Sequence, residues 1–277
     1  MKKISRRSFM AAAAVSVAAL ALTACGGSAS SAASVASSAA SSEAASSAAT
    51  AELTTVEAGK LTMATNAAFP PYEMTTDAGE FEGIDVDTAK AIAEKLGLEL
   101  QIDDMDFDAA LLSVQQGKAD IVMAGVTVTD ERKAVMDFSD SYATGIQSII
   151  VPNDSDIASP DDLAGKTIGT QRGTTGYIYC SDDFGDENVV AYDDGLTAVQ
   201  ALNNGQVDAV VIDNAPAQEF VAANPGLKVL DTSYAEEDYA IGMAKGSALE
   251  DAVNKALEEL KADGTLQAIV DKYIKAE

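Results

Sequence analysis

The chain contains no histidine and only two cysteines among its 277 residues. Without histidine, the usual Ser/His and Cys/His catalytic arrangements are excluded, and the most common ligand of transition metals is missing. Because Cys25 directly follows an N-terminal export signal and is expected to carry a lipid, Cys180 has no partner for an intrachain disulfide. We therefore expect no metal site, no cofactor, and a fold that is stabilised by its hydrophobic core.

Basic residues are also scarce. The chain carries 18 Lys and Arg against 44 Asp and Glu, which gives a formal net charge of -26. Phosphate binding requires basic patches, so nucleic acid is not expected as a partner. The negative charge is explained by solubility, or alternatively by docking to a basic surface on a partner protein.

Residues 1–24 have the composition of an export signal, with a basic start followed by an apolar run from Phe9 to Leu22. This run is too short for a comfortable membrane span. The last residues of the signal, with Cys25, resemble the bacterial lipobox, which implies cleavage before Cys25 and lipid attachment to it. An incomplete twin-arginine motif surrounds Arg6 and Arg7, so the Sec and twin-arginine export routes both stay open.

Residues 25–56 consist mainly of alanine and serine and have little to bury. Such a composition predicts a flexible tether. Together with the predicted lipid on Cys25, the tether would hold a folded body at the extracytoplasmic face of the cell membrane. The membrane contact would be made only through the lipid.

The remaining sequence alternates between strand and helix patterns. It predicts two α/β lobes, each with a mostly parallel sheet flanked by helices. Lobe 1 is expected to comprise residues 57–145 and 243–277, and lobe 2 residues 146–242. Within lobe 1, Asp85 is expected to cap a helix that ends before Gly97. Two extended crossings form the predicted hinge, at residues 145–151 and 239–243.

The segment from Gly125 to Arg132 follows the apolar strand 120–124. Gly125 lets the backbone approach a ligand, Thr127 offers a hydroxyl and a backbone N–H, and the Arg132 guanidinium can donate to both oxygens of a carboxylate. Because ligands of open α/β sheets bind beyond the carboxyl ends of strands, this segment should face the cleft. An ordinary turn with a solvated arginine is the alternative.

Several motifs in fixed order resemble the bacterial extracellular solute-binding proteins of family 3. They are Ala64 to Tyr72, Gly83 to Asp87, Phe107 to Leu111, Gly125 to Arg132, and Asp137 to Ser139. The resemblance implies a two-lobed, type II periplasmic-binding-protein fold that closes on one amino acid. It also implies a monomer that delivers the amino acid to the permease subunits of an ABC importer.

The resemblance assigns roles to nine residues. Arg132 would pair with the ligand α-carboxylate, and the Gly125 carbonyl and Thr127 would form the wall of lobe 1. Thr174 and Thr175 open a helix whose free N–H groups suit the same carboxylate, with Thr175 as the main contact. Asp213 would accept hydrogen bonds from the ligand α-ammonium. Phe69 and Phe107 would enclose the ligand side chain, and Asn66 would contact the polar end of that side chain. A helix cap is the alternative for Asp213, and core packing is the alternative for the phenylalanines.

Asn66 departs from the aspartate that receptors for basic amino acids often carry at this position. A neutral polar ligand such as glutamine is therefore favoured, while arginine, lysine and cystine stay open because other acidic residues could line the pocket. An enzyme of the prephenate or arogenate dehydratase type on the same fold is the alternative function. A sensory module is disfavoured because no signalling segment is predicted before Glu277.

Overall fold

Two mixed β-sheets with flanking helices form the body of the protein in the computed structural model, which describes residues 53–274. The predicted signal, Cys25 and residues 25–52 of the predicted tether lie outside the described residues. The tether's last residues contact the body, since the Val56 N–H donates to Asp120 Oδ1 over 2.7 Å. No helix within residues 53–274 combines the length and apolar character that a membrane span requires.

The first half of the body contains seven strands and three helices. They are β1 (Lys60–Thr65), β2 (Ala68–Phe69), β3 (Glu73–Thr75), β4 (Phe81–Glu82), α1 (Ile84–Leu96), β5 (Glu99–Asp104), α2 (Phe107–Gln115), β6 (Ile121–Val122), α3 (Asp130–Val135) and β7 (Met136–Phe138). The first sheet has the order β5-β1-β6-β14-β7, in which β1 is parallel to β5 and β6, and β14 (Gly242–Ala244) is antiparallel to its neighbours. We call this sheet and its helices lobe 1.

The second half of the body supplies another sheet and the C-terminal helices. Its elements are β8 (Ala143–Pro152), β9 (Ile168–Gln171), α4 (Thr175–Phe184), β10 (Val189–Tyr192), α5 (Gly195–Asn203), β11 (Ala209–Asp213), α6 (Asn214–Ala223), β12 (Leu227–Val229), β13 (Ala235–Tyr239), then β14, α7 (Glu250–Ala262) and α8 (Thr265–Tyr273). The sheet order is β10-β9-β11-β8-β12, with β13 also paired to β8. We call this sheet with α4, α5 and α6 lobe 2, whereas α7 and α8 pack on α1 and belong to lobe 1.

The chain passes between the two sheets twice, from β7 to β8 and from β13 to β14. The strands β8 and β13 pair antiparallel, with Gly145 opposite Glu237 and Ala143 opposite Tyr239. A further bridge joins Tyr239 to Thr127 of lobe 1. We call β8 and β13 the hinge strands, because the connection between the lobes runs through this pair.

The start of α1 corrects one prediction. The helix begins at Ile84 after Gly83, whose φ of 133° and close approach to the Tyr72 carbonyl leave no room for a Cβ. Asp85 is therefore not the cap but a fully buried residue of the first turn. It accepts hydrogen bonds from Tyr142 Oη at 2.7 Å and from the Gly125 N–H at 3.0 Å. Asp85 thus supports the glycine that begins the predicted carboxylate-binding segment.

A small antiparallel sheet of β2, β3 and β4 was not expected from the sequence. Its strands have only two or three residues each, so no alternation of apolar and polar residues is long enough to indicate them. The sheet projects from lobe 1 between β1 and α1. It places Phe69 opposite Glu73, and both residues face the gap between the lobes.

Candidate ligand site between the lobes

A partly open cavity of about 20 Å³ lies between the lobes, which leaves room for about one water molecule. The structure brings all nine predicted ligand residues together around it. The complete lining is Asn66, Phe69, Glu73, Phe107, Ala124, Gly125, Thr127, Arg132, Gln171, Thr174, Thr175 and Asp213. Most of these residues follow β1, β6, β9 and β11 or lie at the start of the next helix, as expected for ligand sites at strand ends.

Arg132 is fixed by a short helix that the sequence had indicated only as a turn. Thr129 caps α3 by accepting a hydrogen bond from the Arg132 N–H at 3.1 Å. The guanidinium Nη1 donates to the Thr127 carbonyl at 2.8 Å, and Nη2 donates to the Gly173 carbonyl of lobe 2 at 3.1 Å. The solvated-turn alternative is therefore wrong, because Arg132 is only 9% exposed.

The Arg132 guanidinium has no ionic partner, since no carboxylate of residues 53–274 lies within 4 Å of it. It lies over the Phe107 ring, 5.4 Å from the ring centroid. Burial lowers the pKa of Arg132, and the negative charge of Glu237 acts in the opposite direction. A buried cation of this kind is costly unless it is paired, so an anion that entered the cavity would be stabilised by Arg132.

The start of α4 faces Arg132 from lobe 2. Thr174 is the N-cap, and its hydroxyl accepts from the Tyr177 N–H at 3.3 Å and donates to the Gln171 carbonyl at 2.8 Å. The first N–H groups of a helix have no acceptor within that helix and carry a partial positive charge. Thr175, which is 2% exposed, thus adds backbone donors to the cavity wall near Arg132.

Asp213 ends β11 and contributes a carboxylate from lobe 2. It occupies the N-cap position of α6, but its side chain makes no capping hydrogen bond. Its Oδ2 instead accepts from Gln147 Nε2 of hinge strand β8 at 2.7 Å. Burial raises the pKa of Asp213 to about 7, and the hydrogen bond from Gln147 opposes that shift. The carboxylate is thus held in the cavity wall rather than at the helix start.

Phe69 and Phe107 line the cavity and are also part of the core, being 7% and 5% exposed. Phe69 stacks on Tyr72 with ring centroids 6.0 Å apart. It also packs against Gly125, where an added Cβ would lie 2.9 Å from the ring. The two interpretations of these phenylalanines are therefore compatible, because one face of each ring can pack while the other bounds the cavity.

The family of the chain follows from a match along its length. The family model of the bacterial extracellular solute-binding proteins, family 3, matches residues 61–276. The chain belongs to this family. Its relatives are binding proteins of transport systems rather than enzymes, so the dehydratase alternative is not supported.

Three relatives illustrate the range of this family. The chain is 33% identical to the L-cystine-binding protein TcyJ of Escherichia coli K12 over 225 residues, which cover 80% of this chain and 85% of TcyJ. It is 35% identical, with a TM-score of 0.76, to the arginine-, lysine-, histidine-binding protein ArtJ of Geobacillus stearothermophilus, covering 79% of this chain and 96% of ArtJ. An ancestral arginine-binding protein bound to glutamine is 41% identical with a TM-score of 0.75, covering 79% and 99%. The predicted two-lobed fold is confirmed.

This family 3 protein also has site residues that the sequence analysis missed. Gln171 and Glu73 line the cavity, while Gln147 and Glu237 lie behind its wall. Gln171 is the last residue of β9, two residues before Gly173, so its position at a strand end was a usable signal. Glu73 and Glu237 gave no such signal, because β3 is too short to predict and Glu237 precedes the predicted crossing at residues 239–243.

Glu73 is the most unusual of these residues. It is completely buried, and neither carboxylate oxygen accepts a hydrogen bond from the described residues. Burial raises the pKa of Glu73 well above its ordinary range, and the neighbouring Asp85 carboxylate raises it further. A ligand group that donates hydrogen bonds or carries positive charge would satisfy this carboxylate.

Proposed function

We propose that this protein binds a free L-amino acid between its lobes and delivers it to the permease of an ABC importer. The observation that carries the proposal is the buried Arg132 guanidinium, which donates only to backbone carbonyls and has no carboxylate partner among residues 53–274. Asp213 supplies a buried carboxylate from the opposite lobe. A cation on one lobe and an anion on the other match the carboxylate and ammonium of an amino acid's main chain.

The remaining wall contacts complete this main-chain site. We assign the ligand carboxylate to Arg132 and to the backbone N–H groups at Thr127 and Thr175. The Gly125 carbonyl and Asp213 then face the α-ammonium. Since the cavity has room for about one water, an amino acid must enter while the lobes are apart and must displace side chains that meet across the gap.

Two residues of the site favour different side chains for the bound amino acid. Asn66 is neutral and favours glutamine, whose amide can both donate and accept hydrogen bonds. Glu73 favours arginine, because a guanidinium would pair with this buried carboxylate and ionise it. The relatives include binders of both ligands, since ArtJ is an arginine-, lysine-, histidine-binding protein and the ancestral protein was bound to glutamine.

A thermal-shift screen tests the proposed function directly. Purified residues 53–277 are heated with each of the twenty amino acids and with ornithine, citrulline and cystine. A ligand at a hundred times its dissociation constant stabilises the folded state by about 2.7 kcal/mol, which is readily measured. If none of these compounds raises the melting temperature, the amino-acid proposal is wrong.

Calorimetry with Glu73→Gln then separates the two candidates. If the ligand is arginine, the variant loses a charge-assisted pair, and its affinity should fall by roughly tenfold or more. If the ligand is glutamine, the substituted side chain still offers an amide oxygen, and the affinity should change by less than about threefold. Glu80→Gln, at an exposed site of the same segment, is the matched control.

The membrane anchor is a separate part of the proposal. We propose that the chain is cleaved before Cys25, lipidated there, and held as a monomer at the extracytoplasmic face of the cell membrane. Mass spectrometry of the mature N-terminus tests this, with diacylglyceryl on Cys25 as the expected result. A Cys25→Ser variant that stays in the membrane fraction would contradict it.

A further inference from the structure

Three hydrogen-bond donors converge on one oxygen of Glu237, a buried residue of hinge strand β13 that the proposed main-chain contacts do not include. Thr175 Oγ1 donates to Glu237 Oε2 at 2.9 Å, Gln147 Nε2 at 3.0 Å, and Thr127 Oγ1 at 3.1 Å. The two threonines belong to different lobes, and both line the ligand cavity. Glu237 therefore contacts two residues of the cavity wall, one from each lobe, from its position on a hinge strand.

Each of these two threonine hydroxyls can donate only one hydrogen bond. A hydroxyl has one proton, and a carboxylate has none. When Thr127 and Thr175 both donate to Glu237, their oxygens offer only lone pairs to the cavity. This arrangement also explains why their two oxygens lie 3.4 Å apart, too far for a strong bond between them.

The hydrogen bonds of Gln147 support the same assignment of the threonine protons to Glu237. Its Nε2 donates to both Glu237 Oε2 and Asp213 Oδ2, at 3.0 and 2.7 Å. Both amide protons are thus used to bridge two carboxylates. With this bridge in place, the Glu237 carboxylate is held in position, and the threonine protons have a fixed acceptor.

We infer that Glu237 is a positioning residue that directs the Thr127 and Thr175 hydroxyl protons away from the cavity, so that both oxygens accept from the ligand's α-ammonium. This inference rests on the proposed function and specifies how the two ends of the amino acid are distinguished. The ligand carboxylate is left to Arg132 and to backbone N–H groups, which can only donate. A carboxylate placed against the hydroxyl oxygens would meet lone pairs, so a reversed ligand is rejected.

The test compares Glu237→Gln with the matched control Glu236→Gln. Glu236 is exposed and is the neighbouring residue of the same strand, so its substitution makes the same change in charge away from the site. Calorimetry is run with L-arginine and L-glutamine, and with the analogues that lack the α-amino group, 5-guanidinopentanoate and glutaramate. Circular dichroism and thermal unfolding establish that both variants are folded.

The amide introduced by Glu237→Gln donates as well as accepts, so the threonine protons are free to turn toward the cavity. We expect the amino acid to bind about tenfold more weakly to this variant, because acceptors for its ammonium are lost. The analogue without the amino group should bind as well as to the wild type, or more tightly, since a negative charge near Arg132 has been removed. Glu236→Gln should leave both affinities unchanged.

Other outcomes overturn the inference. If the amino acid and its analogue weaken by the same factor, Glu237 supports only the shape of the site. If the amino acid and its analogue both bind more tightly, Glu237 acts only through its negative charge near Arg132.

Neutron diffraction of the unliganded protein provides a test that needs no ligand. The inference expects the hydroxyl deuterons of Thr127 and Thr175 to point at Glu237. Deuterons that point into the cavity would contradict the inference even if the amino-acid proposal holds. If they point at Glu237 but the protein binds no amino acid, only the proposed function is contradicted.

Discussion

Gln171 Nε2 donates to Asn66 Oδ1 over 2.8 Å, a buried hydrogen bond that joins lobe 2 to lobe 1 across the ligand cavity. The Asn66 Nδ2 donates in turn to the Met105 carbonyl at 3.0 Å, so the amide is held on both sides. The closed form is thus stabilised by direct contacts between the side chains that a ligand would have to separate. In the unliganded closed form, Gln171 therefore occupies the Asn66 oxygen that the proposed ligand would use.

Removing Gln171 should open the unliganded protein. In Gln171→Ala the lobes lose their buried bond, and Asn66 Oδ1 loses its donor, at a cost of about 1–3 kcal/mol to the closed form. Small-angle X-ray scattering should show a larger radius of gyration without ligand, and a return to the wild-type value with ligand. Gln206→Ala, at an exposed site of lobe 2, should leave the radius unchanged. An unaltered radius in Gln171→Ala would contradict this role.

Arg132→Ala should nearly abolish binding. Loss of one member of a buried ion pair costs about 3–5 kcal/mol, which corresponds to roughly a hundredfold or more in affinity. Calorimetry measures the effect, and Arg172→Ala is the control because Arg172 is exposed and its contacts, with Asp193 at 3.7 Å and the Ala191 carbonyl at 3.2 Å, lie at the surface. Wild-type affinity in Arg132→Ala would show that the ligand carboxylate binds elsewhere.

Ligand affinity should depend on pH through Asp213. Its pKa is raised to about 7 in the unliganded protein, whereas binding of an α-ammonium requires the ionised form. Affinity should therefore be highest above pH 7 and fall by up to about tenfold for each pH unit below it. Titrations between about pH 5.5 and 8 measure this dependence, and Asp213→Asn should weaken binding and flatten the profile. The chain has no histidine to titrate in the same range.

The stability of the unliganded protein should fall as pH rises. Burial raises the pKa of Asp85 to about 6, above its value in the unfolded chain, so the folded state holds this proton more tightly. The resulting stabilisation is fully present below about pH 4 and is lost as pH rises through about 6. For Asp85 alone it is on the order of 3 kcal/mol.

Urea unfolding at pH 5 and pH 8 measures this contribution. Glu73, whose pKa is also raised by burial, acts in the same direction. The difference in unfolding free energy between the two pH values should shrink in Asp85→Asn. It should persist in Asp77→Asn, where the replaced carboxylate is exposed. A protein that is more stable at pH 8 than at pH 5 would contradict the assignment.

Much of the fold was predictable because its signals are local. The end of a helix before Gly97 and the start of a helix at Thr174 agree with the structure, since capping residues act over a few positions. The prediction for Asp85 was wrong for an instructive reason. An aspartate near a helix start has the pattern of a cap, but its partners Tyr142 and Gly125 lie far along the chain.

The candidate site also contains residues that local motifs predict and residues that they do not. The amino-acid sequence alone was enough to identify the residues that follow strand ends, and it predicted Arg132, Thr175 and Asp213 from motifs that each occupy a short segment. The folded structure was needed to show that Glu73 is buried beside Asp85, and that Glu237 lies against threonines from both lobes. These features escape the sequence because burial and proton sharing depend on which distant segments meet. A carboxylate that is ordinary in an extended strand becomes part of the site only when the lobes close around it.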